Sequence, residues 1–286
     1  YFFDADGDGD LDLLVLNTAE WTTADLEPSG RYYVGPATIE EMMKAPPERN
    51  RFYLNDGRGV FTDATEPSGL AGHGWSSDAA IFDADGDGHL DVYVARMFGG
   101  GTFHRNDGRG RFTADTLRET QSRFVRTAAG GVGTKVFDYD GDGRLDVLTV
   151  DMHSDMWMTP DFDPTSMPEG KRGLAYDPKG EGPGVANPAA GGIFALPGEA
   201  LVFGNTLHRN LGGGQFAEVS LRAGVETLWP WGVAVGDFDA DGHEDAYLPS
   251  GMGHPFAYWR SPLLRNRGNG TFVDVAAAAG LDPPPG

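Results

Sequence analysis

The chain has 286 residues and is 40% hydrophobic, which is enough to bury a sizeable core as one large domain or two ordinary ones. Its formal net charge of −21, with no basic stripe, excludes a nucleic-acid-binding protein, and the absence of cysteine excludes disulfide and thiol chemistry. The sequence contains no apolar run near the ~20 residues of a membrane span. Its 43 glycines and 19 prolines follow no three-residue period and favour many short elements joined by turns.

One nine-residue pattern, D-x-D-x-D-G-x-x-D, occurs four times along the chain. A strand candidate precedes it, such as AAIF at 79–82, TKVF at 134–137 or GVAVG at 232–236. An apolar, β-branched stretch such as LDVYVAR follows each copy and predicts a buried strand. The aspartates at positions 1, 3, 5 and 9 are Asp4, Asp6, Asp8 and Asp12; Asp83, Asp85, Asp87 and Asp91; Asp138, Asp140, Asp142 and Asp146; and Asp237, Asp239, Asp241 and Asp245.

A second pattern, N-x-G-x-G-x-F, alternates with the first. Two glycines at this spacing suit a tight hairpin, after which the Phe begins the returning strand. The four copies lie at 55–61, 106–112, 210–216 and 266–272.

Each repeat thus supplies four strands, here called A to D, with the Asp loop between A and B and the glycine hairpin between C and D. Four-stranded units repeated along a chain predict an all-β fold, a β-propeller; a β-solenoid or a sandwich is the alternative. The phase of the repeats suggests a piece of a larger ring, of seven blades, with further blades or domains outside this chain; a closed four-blade disc is the other interpretation. The predicted blades span 1–66, 75–116, 130–221 with an insertion at 152–201, and 229–276.

The Asp pattern predicts calcium binding, with about four ions, one in each blade. Ca²⁺ takes six to eight oxygen ligands, which alternating aspartates supply when the backbone curls around one point. Without metal, these clustered carboxylates would repel one another. The residue at position 7 is expected to offer its backbone carbonyl; these residues are Asp10, His89, Arg144 and His243.

An EF-hand begins with a similar loop but requires a bidentate Glu at position 12 and a following helix. Position 12 instead holds apolar or β-branched residues within predicted strands, which excludes the EF-hand. These residues are Val15, Val94, Thr149 and Leu248.

The two alternating motifs resemble the FG-GAP (VCBS-type) repeats of the integrin α-subunit propeller and its bacterial relatives. The pairing of FDADGDGHLDVYV with RNDGRGRFTADT looks most like the cartilage-acidic-protein family and its bacterial homologues. The resemblance implies a calcium-bearing propeller and covers nearly the whole chain apart from two insertions. In integrins the face opposite the calcium loops recognises protein ligands, so the resemblance implies a similar use of that face here.

The predicted strand directions place the long connections together on the face opposite the Asp loops. Because strands in a blade run antiparallel, the calcium loops and hairpins share one face, and the B–C and D–A connections lie on the other. The long B–C connections span about residues 18–50 and 152–201. The candidate ligand-face residues lie within them or, for Asp151, directly before the second one; they are Trp21, Asp151, His153, Asp155 and Trp157. Exposed Trp and Tyr would suit an extracellular protein or carbohydrate ligand, whereas Trp75, Trp229 and Trp231 are expected to pack between blades.

The sequence therefore predicts an extracellular recognition or adhesion module in which calcium is structural. Extracellular calcium modules bind at roughly 10⁻⁴–10⁻³ M, so cytosolic calcium would leave them empty, which predicts a secreted or periplasmic protein. The alternative is a secreted propeller enzyme, a lyase or hydrolase, with a site near Asp151, His153 and Asp155, since carboxylates beside a His could serve acid–base chemistry. No catalytic residue is assigned.

Overall fold

The computed structural model describes most of the chain. The described residues are 1–18, 25–35, 48–72, 75–97, 100–115, 127–128, 130–152, 201–202, 204–253, 257–258 and 260–281.

Four antiparallel four-stranded sheets follow one another along the chain, and strands are numbered in chain order. The first contains β1 (Phe2–Phe3), β2 (Asp12–Val15), β3 (Arg51–Asn55) and β4 (Phe61–Asp63). The second contains β5 (Ser76–Phe82), β6 (Asp91–Arg96), β7 (Thr102–Asn106) and β8 (Phe112–Asp115). The third contains β10 (Gly131–Phe137), β11 (Asp146–Asp151), β13 (Thr206–Gly212) and β14 (Gln215–Glu218). The fourth contains β15 (Ala234–Gly236), β16 (Asp245–Tyr247), β19 (Leu263–Asn266) and β20 (Phe272–Asp274).

Smaller elements complete the described structure. A parallel pair joins β9 (Thr127–Ala128) to β12 (Leu201–Val202), and an antiparallel pair joins β17 (Met252–Gly253) to β18 (Ala257–Tyr258). Two short helices, α1 (Thr65–Ser68) and α2 (Ser220–Ala223), follow the outer strands of the first and third sheets. Among the described residues, no helix has the length and apolar character needed to cross a membrane.

The predicted fold class, an all-β propeller of four-stranded blades, is confirmed. Within each sheet the strand order follows the chain, so each sheet is a meander whose loop between the first two strands carries the Asp pattern. The sequence did not predict the short helices. Each ends at a glycine in the left-handed region, Gly69 (φ 81°) or Gly224 (φ 75°), and each of these glycines lies eight residues after the hairpin Phe of its blade.

The core lies between neighbouring blades, where the hairpin Phe of one blade packs against the blade before it. Phe112 of the second blade lies 6.3 Å from Phe3 and 6.0 Å from Phe52 of the first, measured between ring centroids. Phe216 of the third blade lies 6.3 Å from Phe82 of the second, measured in the same way.

The third junction repeats the arrangement: Phe272 of the fourth blade lies 6.4 Å from Phe137 and stacks on Tyr139 of the third, at 6.2 Å. The three hairpin Phe residues at these junctions, Phe112, Phe216 and Phe272, are all buried. Blade-to-blade packing of this kind supplies the apolar contacts that a single blade cannot make for itself.

A polar contact accompanies each of these apolar ones. The hairpin Asn donates a side-chain hydrogen bond to the backbone carbonyl at position 2 of the preceding blade's Asp loop. The bonds run from Asn106 to Ala5 (2.8 Å), from Asn210 to Ala84 (3.2 Å) and from Asn266 to Tyr139 (2.8 Å). The Asp loops are therefore held by the next blade as well as by their own.

Candidate metal centres

The four Asp loops each bring carboxylates to one point. In every loop three carboxylate groups offer ligand oxygens that lie within 4.8 Å of one another. The groups are Asp4, Asp6 and Asp8; Asp83, Asp85 and Asp91; Asp138, Asp140 and Asp146; and Asp237, Asp239 and Asp245. The first loop thus uses position 5 as its third member, whereas the other three use position 9.

The aspartate at position 1 holds the loop in a tight turn by accepting backbone hydrogen bonds from later residues of the loop. In the second loop Asp83 accepts backbone hydrogen bonds from Gly86, Asp87 and Gly88 at 2.8, 3.2 and 2.9 Å. Gly88, at position 6, has a φ of 87°, so the turn requires a residue that tolerates the left-handed region. The first, third and fourth loops each repeat two of these three bonds, through Asp4, Asp138 and Asp237.

The aspartate at position 9 is buried and joins the loop to strand C. In the third loop, Asp146 Oδ2 accepts the backbone N–H of Tyr139 at 3.1 Å, and its Oδ1 accepts that of Asn210 at 2.7 Å. The equivalent pairs of bonds reach Asp12, Asp91 and Asp245. Because backbone donors fix both oxygens, the position of this carboxylate does not depend on a metal ion.

The aspartate at position 3 provides an independent test of whether an ion fits. The Oδ1 atoms of Asp6 and Asp140 are buried and accept no hydrogen bond from the described residues. A buried carboxylate oxygen without a donor is costly, and a cation at the centre of the loop would supply the missing interaction.

The carboxyl pKa values point in the same direction. Burial raises the pKa of Asp146 to about 7 and that of Asp91 to about 6, and neighbouring aspartates add to the effect against the backbone hydrogen bonds that oppose it. Burial also raises the pKa of Asp12 and of Asp6. These sites favour a positive charge, which protons supply at low pH and a metal ion can supply at neutral pH.

The residue at position 7 makes two contacts besides the predicted coordination through its carbonyl, which stays a prediction. Its N–H donates to the aspartate at position 5, as from His89 to Asp87 at 3.0 Å. Its side chain, which the sequence analysis left without a role, covers the first glycine of the hairpin in the same blade. A Cβ on Gly108 would lie 2.4 Å from the His89 ring, and one on Gly268 would lie 2.4 Å from His243. Asp10 covers Gly57 in this way, whereas Arg144 lies farther from Gly212, with its Cδ 3.8 Å from a Cβ there.

Arginines on strand C form ion pairs with aspartates of the loops, which was not predicted from the sequence. Arg105 lies 2.8 Å from Asp85, Arg209 lies 2.6 Å from Asp140, and Arg265 lies 3.8 Å from Asp239. The signal was available, because an Arg precedes the hairpin Asn in three of the four copies. In the first blade the equivalent residue is Leu54, so the first loop lacks this positive charge.

The donor set suits a hard cation. The grouped ligand atoms are all carboxylate oxygens, which Ca²⁺ accepts in numbers, whereas Mg²⁺ is held by one or two carboxylates with retained waters. The arrangement can therefore bind a divalent cation in each blade and join two strands of that blade through it.

On the opposite face, the described residues give only part of the predicted ligand surface. Asp151 ends β11 with its carboxylate buried, where Oδ2 accepts N–H bonds from Gly130 and Gly204 at 3.2 and 3.3 Å. Such bonds indicate a carboxylate that holds backbone at the end of a strand. The remaining candidates, Trp21, His153, Asp155 and Trp157, lie outside the described residues.

The three tryptophans that precede A strands differ in solvent exposure. Trp75 and Trp229 are buried, as expected for packing between blades, but Trp231 is 50% exposed. Trp231 stacks on Trp229 with ring centroids 6.0 Å apart and covers Gly251. Tyr32 and Tyr33, in the first long B–C connection, are also exposed.

A family model for the FG-GAP-like repeat matches residues 41–94, 83–149 and 198–248, which together make up more than half of the chain. The chain belongs to this family. The matched ranges contain the second, third and fourth Asp loops in full, so the family match includes the segments that form three of the four carboxylate groups.

One curated relative is human cartilage acidic protein 1, which is 27% identical over 239 residues. The match covers 72% of this chain and 35% of the relative, so the chain spans about a third of that protein's length. Among solved structures, an Agrocybe aegerita lectin that recognises non-reducing terminal N-acetylglucosamine is 16% identical, with a TM-score of 0.42. That comparison covers 96% of this chain and 50% of the lectin chain, and at this score it supports no conclusion about this protein.

Proposed function

We propose that the protein is an extracellular recognition module, an FG-GAP propeller that calcium stiffens and whose ligand binds on the face opposite the Asp loops. The observation that carries the calcium part is the convergence of three carboxylates in each of the four loops, together with the buried Oδ1 atoms of Asp6 and Asp140, which accept no hydrogen bond from the described residues. Calcium is structural in this proposal, since each ion joins the strands that flank its loop.

The magnitude of calcium stabilisation supports an extracellular setting. At ~1 mM calcium and a Kd of ~0.1 mM, one site adds about 1.4 kcal/mol to the free energy of unfolding, and four independent sites add about 6 kcal/mol. This is comparable with the whole stability of an ordinary domain. The calcium concentration of the cytosol is too low to fill such sites. The name of the matched relative, cartilage acidic protein 1, refers to cartilage, which is consistent with an extracellular setting.

The ligand face is proposed from topology and from exposed aromatic side chains. Antiparallel strands put the Asp loops and glycine hairpins at one face, so the long connections after β2 and β11 emerge at the other. Trp231, Tyr32 and Tyr33 are exposed there and offer flat apolar surface with polar edges, which suits a protein or carbohydrate ligand.

Calcium binding is tested by titration calorimetry on matched variants. Asp85→Asn should remove one of about four binding events and lower the calcium-dependent rise in Tm. Glu66→Gln removes an equally charged but exposed side chain outside every loop and should change neither. Four undiminished binding events in Asp85→Asn would refute the assignment of this loop.

Ligand recognition is tested on arrays of immobilised glycans and extracellular matrix proteins in the presence of calcium. A ligand found for the native chain should be lost in Trp231→Ala and in the double variant Tyr32→Ala/Tyr33→Ala, with calcium binding unchanged. Leu145→Ala, an exposed apolar change on the Asp-loop face, is the control and should retain binding. Retention by both aromatic variants would move the ligand site elsewhere.

A further inference from the structure

Arg96 lies at the end of the second blade that points away from the Asp loops. Strand β6 begins at Asp91, in the second Asp loop, and ends at Arg96, so Arg96 belongs to the face proposed for ligand binding. The second blade has a neighbour on each side, since Phe112 packs on the first blade and Phe216 of the third blade packs on Phe82. Arg96 therefore belongs to a blade that is flanked on both sides.

The guanidinium of Arg96 has no partner among the described residues. Its Nε atom is buried and donates no hydrogen bond to them. None of the ion pairs between described side chains includes Arg96. The residue as a whole is partly exposed, as a ligand site requires. Because arginine stays protonated in proteins, a largely buried and unpaired guanidinium is costly, and an anion would offset that cost.

The equivalent residues of the other three blades are all held by hydrogen bonds within the protein. Asn17, Asp151 and Ser250 each follow the position-9 aspartate of their blade by five residues, as Arg96 does. Asn17 donates its side-chain amide to a backbone carbonyl at 2.7 Å, and Ser250 donates its hydroxyl to another at 3.0 Å. Asp151 accepts the two backbone N–H bonds described above. The fold therefore satisfies a short polar side chain at this position and does not require an arginine there.

The groups around Arg96 leave its charge uncompensated. Burial lowers the pKa of the Arg96 guanidinium, and the opposing effect comes from Tyr93, whose own pKa burial raises to about 12, so that Tyr93 is neutral at pH 7. Burial, and then the charge of Arg96, lower the pKa of His104 to about 4, so His104 is neutral as well. The Nδ1 atom of His104 is buried and has no hydrogen-bond partner among the described residues. The site thus holds one positive charge beside a second unpartnered polar group.

We propose that Arg96 binds one carboxylate group of the ligand on this face, through two guanidinium N–H donors that include Nε. The planar fork of a guanidinium matches the two oxygens of a carboxylate. A single positive charge suits a monoanion, whereas a phosphate monoester carries nearly two negative charges at pH 7. The net charge of −21 adds to the preference for the less charged anion. The proposal rests on the proposed function, because it names a charged group of the ligand for that face.

The site is tested with acetate, a carboxylate probe that does not require the ligand to be known. NMR titration of the acetate methyl signal, at fixed free calcium and fixed ionic strength, should show saturable binding with a Kd on the order of millimolar. Arg96→Met should lose this binding, and Arg96→Lys, which keeps the charge without the fork, should weaken it several-fold. Arg58→Met, which removes an exposed arginine of the first glycine hairpin, should bind acetate as the native chain does. Absence of binding, or binding that persists in Arg96→Met, would overturn the proposal.

Two further measurements separate anion binding from a structural role. Arg96→Met should raise the Tm of the acetate-free protein, because an apolar side chain replaces a buried charge without a partner. A marked fall in Tm would reveal a partner for Arg96 within the chain and would overturn the proposal. Tighter binding of sulfate than of acetate at equal ionic strength would overturn the choice of a carboxylate.

Competition with a ligand found on the arrays distinguishes this proposal from the proposed function. Acetate at saturating concentration and the substitution Arg96→Met should each weaken binding of that ligand at least tenfold. A ligand unaffected by both would overturn the carboxylate site and leave recognition intact. Acetate binding at Arg96 without any array ligand would support the site and contradict the recognition function. Tighter binding of glucuronate or of N-acetylaspartate than of acetate then identifies an acidic sugar or an acidic peptide side chain as the source of the carboxylate.

Discussion

Asn210 donates its backbone N–H to Asp146 at 2.7 Å, and this one contact ties the third Asp loop to strand C of its own blade. The same Asn reaches back through its side chain to Ala84, in the loop of the preceding blade. Each such Asn thus connects two Asp loops, so an ion in one loop stiffens the support of the next. Hydrogen bonds from the hairpin Asn therefore join the glycine hairpin to the Asp loop of its own blade and to that of the preceding blade.

This connection predicts that the hairpin asparagines differ in their effect on stability according to the hydrogen bonds that each makes to described residues. Asn266→Ala removes bonds to Tyr139, Glu244 and Gly268, and should lower the free energy of unfolding by about 2–3 kcal/mol. Asn55→Ala removes the bond to Leu11 alone and should cost about 1 kcal/mol or less. Urea unfolding of both variants in calcium measures the difference, and equal losses would mean that the contact between blades contributes nothing.

The raised carboxyl pKa values predict opposite pH dependences with and without calcium. In EDTA, the folded state binds protons at Asp146 and Asp91 up to pH about 7 and about 6, whereas the unfolded chain releases them near pH 4. The calcium-free Tm should therefore fall as pH rises from about 4 to 7. The calcium-dependent rise in Tm should grow over the same range, because the ion requires ionised carboxylates.

Glu226 must be separated from this effect, because burial raises its pKa to about 7 as well. Glu226→Gln should keep the calcium-dependent part of the pH profile while reducing the slope in EDTA. A calcium-dependent Tm rise that was unchanged between pH 5 and pH 7.5 would contradict the assignment of Asp146 and Asp91 to the ion sites.

The arginines on strand C predict that the four Asp loops differ in calcium affinity. Arg105 places a positive charge 2.8 Å from Asp85, so it opposes a divalent cation in the second loop. Arg105→Leu, which copies Leu54 of the first blade, should raise the calcium affinity of that loop several-fold, and less so at high salt because the arginine is partly exposed. Calorimetric titration at two ionic strengths measures this change, with Arg51→Leu, remote from the loops, as the control. Unchanged or weaker calcium binding in Arg105→Leu would show that the arginine does not oppose the ion.

The fourth loop contains one residue in an unfavourable conformation. Ala240 has a φ of 61° where the other loops have glycine, as at Gly86 with a φ of 81°. Ala240→Gly should stabilise the protein by about 0.5–1 kcal/mol, since relief of the left-handed conformation exceeds the added freedom of the unfolded chain. Ala234→Gly, in β15, should have the opposite sign. Thermal unfolding of both variants checks the signs, and a lower Tm for Ala240→Gly would contradict the argument.

The sequence predicted the repeated blade and the aspartates that converge, because both follow from residue types at fixed spacing. It did not predict the role of His89 over Gly108 or of Arg105 beside Asp85, because these contacts depend on the register between strands B and C. It also gave no sign that Trp231 would be exposed while Trp229 is buried, since both occupy similar positions before strand A. Contacts that depend on how strands distant in the sequence pair can be identified only from the structure.

The most direct test of the account is thermal unfolding of the native chain in calcium, in EDTA, and in EDTA with excess magnesium, combined with metal analysis of dialysed protein. The account predicts a large rise in Tm that calcium produces and magnesium does not, with about four calcium ions retained by each chain. An equal Tm in all three conditions, with no retained metal, would contradict the claim that the four Asp loops are calcium sites.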